Sequence, residues 1–485
     1  VTDALTQQLL LDAPLHSQAG ALQRQLQQRL KDAILHGQLP AGARLPATRQ
    51  LAAALAISRN TVSFAYEHLA AEGYLVADRQ GTRVAALHLR PAPAAPAQAT
   101  ATPRLAQRTT RLAATSRANG PYLALRAGQP ALSHFPMAAW RRALERALRT
   151  GPETLAYGDP AGEMALRTSL ARYLGVARGV RCTPQQIFIT EGTQQALALC
   201  VRLLADPGEA AWVEDPGYRG AKTAFHAADL RVIAKPVDHE GLALTAADWQ
   251  APPRMIYVTP SHQYPVGGVM PAARRLDLIA QARRHQCWII EDDYDSEFRH
   301  HGEPIAAMQG MTPDAPVLYV GSFSKTMFPA LRVGFLVLPA SLAEVCQTPA
   351  AELLRGGQRH QQLALADFIE NGEFSRHLGR MRRLYRERQQ ALRQALAQRF
   401  DVEHEVLGGQ SGLHLTVRLP ERYDDRRIAS SAPAYGMQPQ ALSTFSLASP
   451  DNGLVLGYGN TASERFETLA ATLARLARQA RQASR

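Results

Sequence analysis

The chain has 485 residues, 46% of them hydrophobic and 20% charged. That length asks for two or three folding units, and the composition is ordinary for water-soluble protein. The net charge of +12 favours a polyanionic partner, and no apolar run is long enough for a membrane-spanning helix.

Residues 1–30 lack the basic-then-apolar order of a secretory leader. Cys182, Cys200, Cys287 and Cys346 show neither metal-ligand nor disulfide-like spacing. A cytoplasmic protein with no metal site is therefore expected. Arginine supplies nearly all the positive charge, and only Lys31, Lys222, Lys235 and Lys325 are lysines. A lysine kept in so arginine-rich a chain is a candidate for what a guanidinium cannot do, such as forming an imine.

In chain order, Leu22, Leu26, Leu30 and Ile34 recur at helical spacing and stop at Gly37. A turn over Leu39–Gly42 leads to a second helix that opens near Pro46 and ends near Ile57. Ser58 suits the N-cap of a third helix, Arg59–Glu72, with Gly73 as its stop. Tyr74–Val76 and Arg83–Ala85, around Gln80-Gly81, complete a winged helix-turn-helix over residues 15–85. Ser58, Arg59, Asn60 and Thr61 then fall at the start of the third helix, the end that enters the major groove of double-stranded DNA. Arg49 starts the preceding helix, where a guanidinium and free N–H groups can hold a phosphate.

Residues 86–120 read as a linker. Its first part is rich in Pro, Ala and Thr without apolar periodicity, and Arg104, Arg108, Arg111 and Arg117 make the rest basic.

From 121 to 485 the pattern becomes α/β. Ile187–Thr190, Met255–Thr259, Cys287–Asp292 and Val317–Gly321 are apolar runs without polar alternation, as in buried parallel strands. Helical stretches such as Thr193–Ala205 and Pro271–His285 lie between them, the signature of a mostly parallel doubly wound sheet. A large lobe over about 150–340 and a smaller α/β lobe over about 355–485 are expected.

Ligands of such sheets bind beyond the carboxyl ends of the strands, and four motifs fall there. Gly192 lets the backbone approach closely, and the N–H groups of Thr193 and Gln194 can cradle a phosphate. Asp292 can keep a pyridine nitrogen protonated, with Tyr294 near a ring hydroxyl, while Asp293 points elsewhere and reads as structural. Lys325, in Ser322-Phe323-Ser324-Lys325, is the amine able to form an imine with an aldehyde, and Arg332 follows within reach of a phosphate. Tyr218 can stack on a pyridine face.

The string from Leu45 through Ser58-Arg59-Asn60-Thr61 to Gly81-Thr82-Arg83-Val84 resembles the GntR regulators. The later motifs in this order resemble the fold-type-I aminotransferases that use pyridoxal 5'-phosphate (PLP). Together with Thr259–Gly267 and the EDDYDSEFR string, the whole chain resembles the MocR (GabR/PdxR-like) subfamily. That resemblance implies a homodimer binding promoter DNA at paired half-sites. Lys325 would carry the PLP aldimine, Asp292 the ring nitrogen, Tyr294 the ring hydroxyl and Arg332 the phosphate. Tyr157 would reach the phosphate of the partner subunit, and His262 and Gln263 would lie near the cofactor edge.

Two departures from the aminotransferases stand out. Tyr264 precedes Pro265 where they place an asparagine. Residues 428–464 hold no arginine or lysine to grip a substrate α-carboxylate, and Gly453–Tyr458 is apolar at the corresponding place. GABA-sensing relatives carry an arginine two residues after the stacking tyrosine; here Gly220 stands there, leaving Arg219 or Arg376 as substitutes. The expected function is a DNA-binding regulator that senses PLP itself, or a small amine or amino acid, and that is not an efficient enzyme. The alternative is a working PLP-dependent aminotransferase with an accessory DNA-binding head.

Overall fold

The computed structural model describes residues 15, 21–79, 81–87, 105–110, 112, 123–300, 302, 305–448 and 451–481. Gln80 and most of the expected linker lie outside them. The chain divides into two compact units, one up to Arg104 and one from Leu105 onward.

In the first unit, α1 (Leu22–Leu35), α2 (Thr48–Ala54) and α3 (Arg59–Ala71) are followed by β1 (Leu75–Asp78) and β2 (Gly81–Val84). The apolar stripe of α1 buries Leu26, Leu30 and Ile34 against Leu51, Val62, Ala65, Leu69, Leu75 and Val84. Ser58 caps α3, its side chain accepting from the Thr61 amide at 3.0 Å. The buried Tyr66 hydroxyl donates to the Pro46 carbonyl at 3.0 Å, which pins α3 to the entry of α2. β1 and β2 pair antiparallel from Leu75↔Val84 to Asp78↔Gly81, each running one or two residues nearer the turn than expected.

After a single helical turn at Gln107–Thr110, the second unit continues with α4 (Met137–Leu148) and α5 (Met164–Arg178), then β3 (Ile187–Thr190), α6 (Thr193–Leu204), β4 (Ala210–Asp215) and α7 (Arg219–Ala227). Next come β5 (Arg231–Asp238), β6 (Gly241–Leu242), β7 (Met255–Val258), α8 (Ala272–Arg284), β8 (Trp288–Asp293), β9 (Val317–Ser322) and β10 (Gly334–Val337). These strands form one eight-stranded sheet in the order β3-β10-β9-β8-β7-β4-β5-β6. The run β9-β8-β7-β4-β5 is parallel throughout. β10 lies antiparallel between β3 and β9, a reversal that the apolar pattern of a short buried strand does not encode. The strands at the centre are buried on both faces, as their unbroken apolar runs require.

The chain closes through α9 (Ala340–Leu354), α10 (Arg359–Glu370), α11 (Glu373–Arg399), β11 (Glu405–Leu407), β12 (His414–Arg418), α12 (Asp425–Ser431), β13 (Gln440–Ala441), β14 (Gly453–Gly457) and α13 (Phe466–Gln479). The four late strands form an antiparallel sheet, β11-β12-β14-β13.

One apolar core runs from Leu125 and Trp140 through Phe335 to Tyr385, Leu454 and Phe466, so the two lobes share an interior. The segment that enters this unit is sewn into the small lobe. Ala124 donates to the Gly436 carbonyl and accepts from the Gln438 amide, while Leu125 accepts from the Gly457 amide. The Leu125 amide donates to Thr461 Oγ1 at 2.9 Å. Among the described residues, no helix is long and apolar enough to cross a membrane.

Candidate functional site

The carboxyl ends of β4, β7, β8 and β9 open onto a cavity of about 300 Å³ whose lining includes Thr193, Gln194, Tyr218, Asp292, Tyr294, Ser322, Ser324, Lys325 and Arg332. Nine residues singled out by the sequence, spread over 140 positions, are thus brought together by one end of one sheet, as doubly wound topology dictates.

Asp292 is the penultimate residue of β8, inside the sheet. Tyr257, on neighbouring β7, donates its hydroxyl to Asp292 Oδ2 at 2.7 Å. Asp292 Oδ1 is buried without a partner. Burial pushes the Asp292 carboxyl up to about 7, against the pull of the Tyr257 hydrogen bond. Lys325 follows β9. Burial lowers its ammonium from the usual lysine range, while Asp295 and Asp292 oppose that shift.

Gly192 caps α6 at φ 89°, a backbone that favours glycine, and a Cβ there would meet Arg332 Nη2 at 3.3 Å. Arg332 itself adopts φ 53° and donates to the Glu191 carbonyl, so its guanidinium is held at the start of α6 beside Thr193. The Tyr218 ring stacks near Tyr257, with centroids 6.4 Å apart and planes 27° from parallel.

Three expected residues stand elsewhere. His262 does not line the cavity: its Nδ1 lies 3.0 Å from Asp295 Oδ1 and 2.9 Å from the Tyr294 hydroxyl. It positions two residues that do line it. Gln263 is a buried strut, donating to Glu214 Oε2, the Pro216 carbonyl and the Tyr264 carbonyl. Tyr157 is 96% exposed and takes no part in this chain's own cavity. Asp293 is structural as expected, paired with Arg178 at 2.7 Å and accepting from the Tyr319 hydroxyl at 2.6 Å.

Sequence reasoning missed Gln129, Asp295 and His414, all of which line the cavity. Asp295 was legible only as part of the EDDYDSEFR string, and Gln129 and His414 carried no local signal. His262, Asp295 and His414 bring possible ligand atoms within 4.8 Å of one another, a cluster not foreseen in the sequence. His262 Nδ1 already faces Asp295, and His414 Nε2 bonds the Pro265 carbonyl at 3.0 Å.

Tyr264, at the asparagine position of aminotransferases, lines the cavity and sets its ring edge-on to Tyr218 and Phe445. Neither Arg219 nor Arg376 is among the lining residues.

On the first unit, Arg49, Ser58, Arg59 and Asn60 are exposed and Thr61 is half-buried. The hydroxyls of Ser58 and Thr61 meet at 2.8 Å, so both serve the cap of α3.

A winged helix-turn-helix unit and an aminotransferase-type α/β unit in one chain define a two-part class of protein. The family described as bacterial regulatory proteins, gntR family, matches residues 22–84, and aminotransferase class I and II matches residues 121–438. The chain is 38% identical to the probable rhizopine catabolism regulatory protein MocR of Rhizobium meliloti, over 92% of this chain and 90% of that one. It is 32% identical to the pyridoxine biosynthesis transcriptional regulator PdxR of Corynebacterium glutamicum, over 90% and 91%. The α-aminoadipate aminotransferase LysN of Thermus thermophilus, solved with N-(5'-phosphopyridoxyl)-L-leucine, superposes with a TM-score of 0.70 at 26% identity, covering 77% of this chain and 97% of LysN. The chain belongs to the MocR-type family of helix-turn-helix transcriptional regulators, which join a GntR head to an aminotransferase-like domain.

Proposed function

We propose that this protein is a PLP-binding, DNA-binding regulator whose cavity senses PLP or a small primary amine. The observation that carries the reading is the unpartnered Oδ1 of Asp292, buried in the same cavity as the Lys325 amine. A buried carboxylate oxygen without a donor is costly, and a protonated ring nitrogen is the donor that fits it. The donor set agrees: Arg332, Ser322, Ser324 and the N-terminus of α6 suit a phosphate, and Tyr218 suits a ring face.

When bound, PLP supplies an aldehyde that captures primary amines and a ring that accepts electron density. Lys325 would be its covalent attachment point. Asp292 would hold a proton on the ring nitrogen, and Tyr257 fixes the carboxylate through Oδ2. Tyr294, whose hydroxyl is bonded to His262, would stand near the ring edge.

The exposed Tyr157 suits a second copy of the chain, so the functional unit is a homodimer. Two heads would then read paired half-sites, with Arg59 and Asn60 toward base edges and Arg49 toward phosphate. The reading divides the chain into a head over 15–85, a tether over 86–120 and a sensor over 121–485, working in the cytoplasm. A ligand that favours one arrangement of the dimer would change its grip on DNA.

The test is paired. PLP-loaded protein should show a visible absorption band that is lost in Lys325→Ala, and its affinity for promoter DNA should change when ligand is added. A colourless wild-type protein after PLP addition would refute the cofactor reading. Sustained production of a keto acid from added amino acids would favour the aminotransferase alternative.

A further inference from the structure

Beyond the cofactor-holding residues, the cavity wall is unusual in its balance of charges. Among the described lining residues, Lys325 and Arg332 are the only lysine or arginine side chains. Both are committed on the proposed reading, to attachment and to phosphate.

His414 adds no positive charge: burial, with His262 beside it, pushes its imidazole down to about 3. Its Nε2–H donates to the Pro265 carbonyl, which leaves Nδ1 as an acceptor. Arg126 influences Lys325 electrostatically but does not line the cavity.

The remaining wall carries neutral hydroxyls and amides and the acidic groups of Asp292 and Asp295. Asp295 lines the cavity with its side chain 1% exposed, its two carboxylate oxygens 3.0 and 3.2 Å from His262 Nδ1. Of the charged groups acting on Lys325, Asp295 acts most strongly. Gln129 Oε1 is buried with no partner, although Gln129 lines the cavity. Gln440 Oε1 meets only the Tyr264 hydroxyl, at 3.3 Å.

On the small-lobe side, where a carboxylate-gripping arginine would have to stand, Leu442, Phe445 and Val455 form a buried apolar cluster with Ala127 and Tyr264 packed on it. A ligand carboxylate here would lose its water, find no free cation and face Asp295.

Resting on the cofactor reading above, we infer that the ligand of this cavity is a compact primary amine rich in donors, hydroxyls or a second ammonium, and without a carboxylate. Asp295, Gln129 and Gln440 are the residues that receive those donors, and His262 is a positioning residue for Asp295.

The experiment follows the visible spectrum of the full-length PLP-loaded protein during titration with matched pairs: 3-amino-1,2-propanediol against serine, and 1,4-diaminobutane against ornithine. In at least one pair the carboxylate-free amine should shift the spectrum at a concentration lower by at least about tenfold, the scale of one hydrogen bond to a charged group. Success of the diol points to hydroxyl donors, and success of the diamine to a second ammonium. Asp295→Asn should narrow the preference to under about threefold. If that variant fails to load PLP, Gln129→Leu is read in its place.

Equal or tighter response to serine and ornithine overturns the inference while leaving the cofactor reading intact. A preference untouched by either variant overturns it as well. Absence of the visible band in wild-type protein is the separate failure of the cofactor reading.

Discussion

The hydroxyl of Tyr257 and the carboxylate of Asp292 meet at 2.7 Å across adjacent parallel strands, both fully enclosed. The bond fixes Oδ2 and leaves Oδ1 without a partner, and both residues line the cavity.

Tyr257→Phe removes that bond without changing the packed ring. Losing a hydrogen bond to a charged group costs about 1.5–3 kcal/mol, so PLP should be retained at least about tenfold more weakly. Equilibrium dialysis of PLP from the variant checks this, with the Lys325 band as the readout of a correctly formed site.

The pH dependence of stability carries a sign. Asp292 sits at about 7 in the folded protein, against an ordinary aspartate value of about 3.9. Between those values the folded chain holds a proton that the unfolded chain has released, so folding weakens as pH rises through that window. His414 and His377, pushed down to about 3 and about 4 by burial, act in the opposite sense below about 6.5. The difference between wild type and Asp292→Asn isolates the carboxyl. Denaturant midpoints without PLP should show wild type losing ground to the variant between about pH 4 and pH 7. Saturating PLP should remove that loss, because the ring nitrogen pairs with the charged form.

Arg178 and Asp293 are each 3% exposed, and Arg178 also donates to Ser261 Oγ at 2.7 Å and to the Ile305 carbonyl. Breaking a buried, hydrogen-bonded pair from one side leaves an uncompensated charge, at about 3–5 kcal/mol. Arg178→Met should lower the unfolding free energy of the second unit by that amount in denaturant titrations, while Arg178→Met with Asp293→Asn recovers part of it.

On the DNA-binding unit, two neighbouring residues should separate stability from recognition. Ser58→Ala deletes the cap of α3 and should cost about 1 kcal/mol of stability. Arg59→Ala touches no core residue and should leave melting unchanged, while weakening DNA binding by about 1–3 kcal/mol if Arg59 reads a base. Thermal melts and salt-dependent gel shifts on the same pair of variants distinguish the two effects.

The sequence made the sheet and its cofactor-binding edge legible because both are local signals. Apolar runs such as Ile187–Thr190 announce buried strands, and the residue after each run must lie at a strand end. Asp292, Ser322 and Lys325 could be placed on that logic alone. Asp295 and Gln129 could not. Asp295 becomes a cavity group through His262, 33 residues earlier, and through Gly412, where a Cβ would collide with both side chains. Gln129 reaches the cavity because the segment before it is paired to residues more than 300 positions later. His262 was drawn toward the cofactor by its motif, yet packing assigned it the support of Asp295. The antiparallel course of β10 escaped for a similar reason, since strand direction is a property of connections rather than of composition.

The stitching of Ala124 and Leu125 into the small lobe has a mechanical meaning. Ala124 and Leu125 are moored to Gly436, Gln438, Gly457 and Thr461. Only a few residues further on, the same stretch of chain becomes cavity wall at Ala127, Gly128 and Gln129. A ligand that tugs on Gln129 therefore pulls at the anchorage itself. No relay through the sheet is needed for occupancy of the cavity to be felt at Ala124 and Leu125.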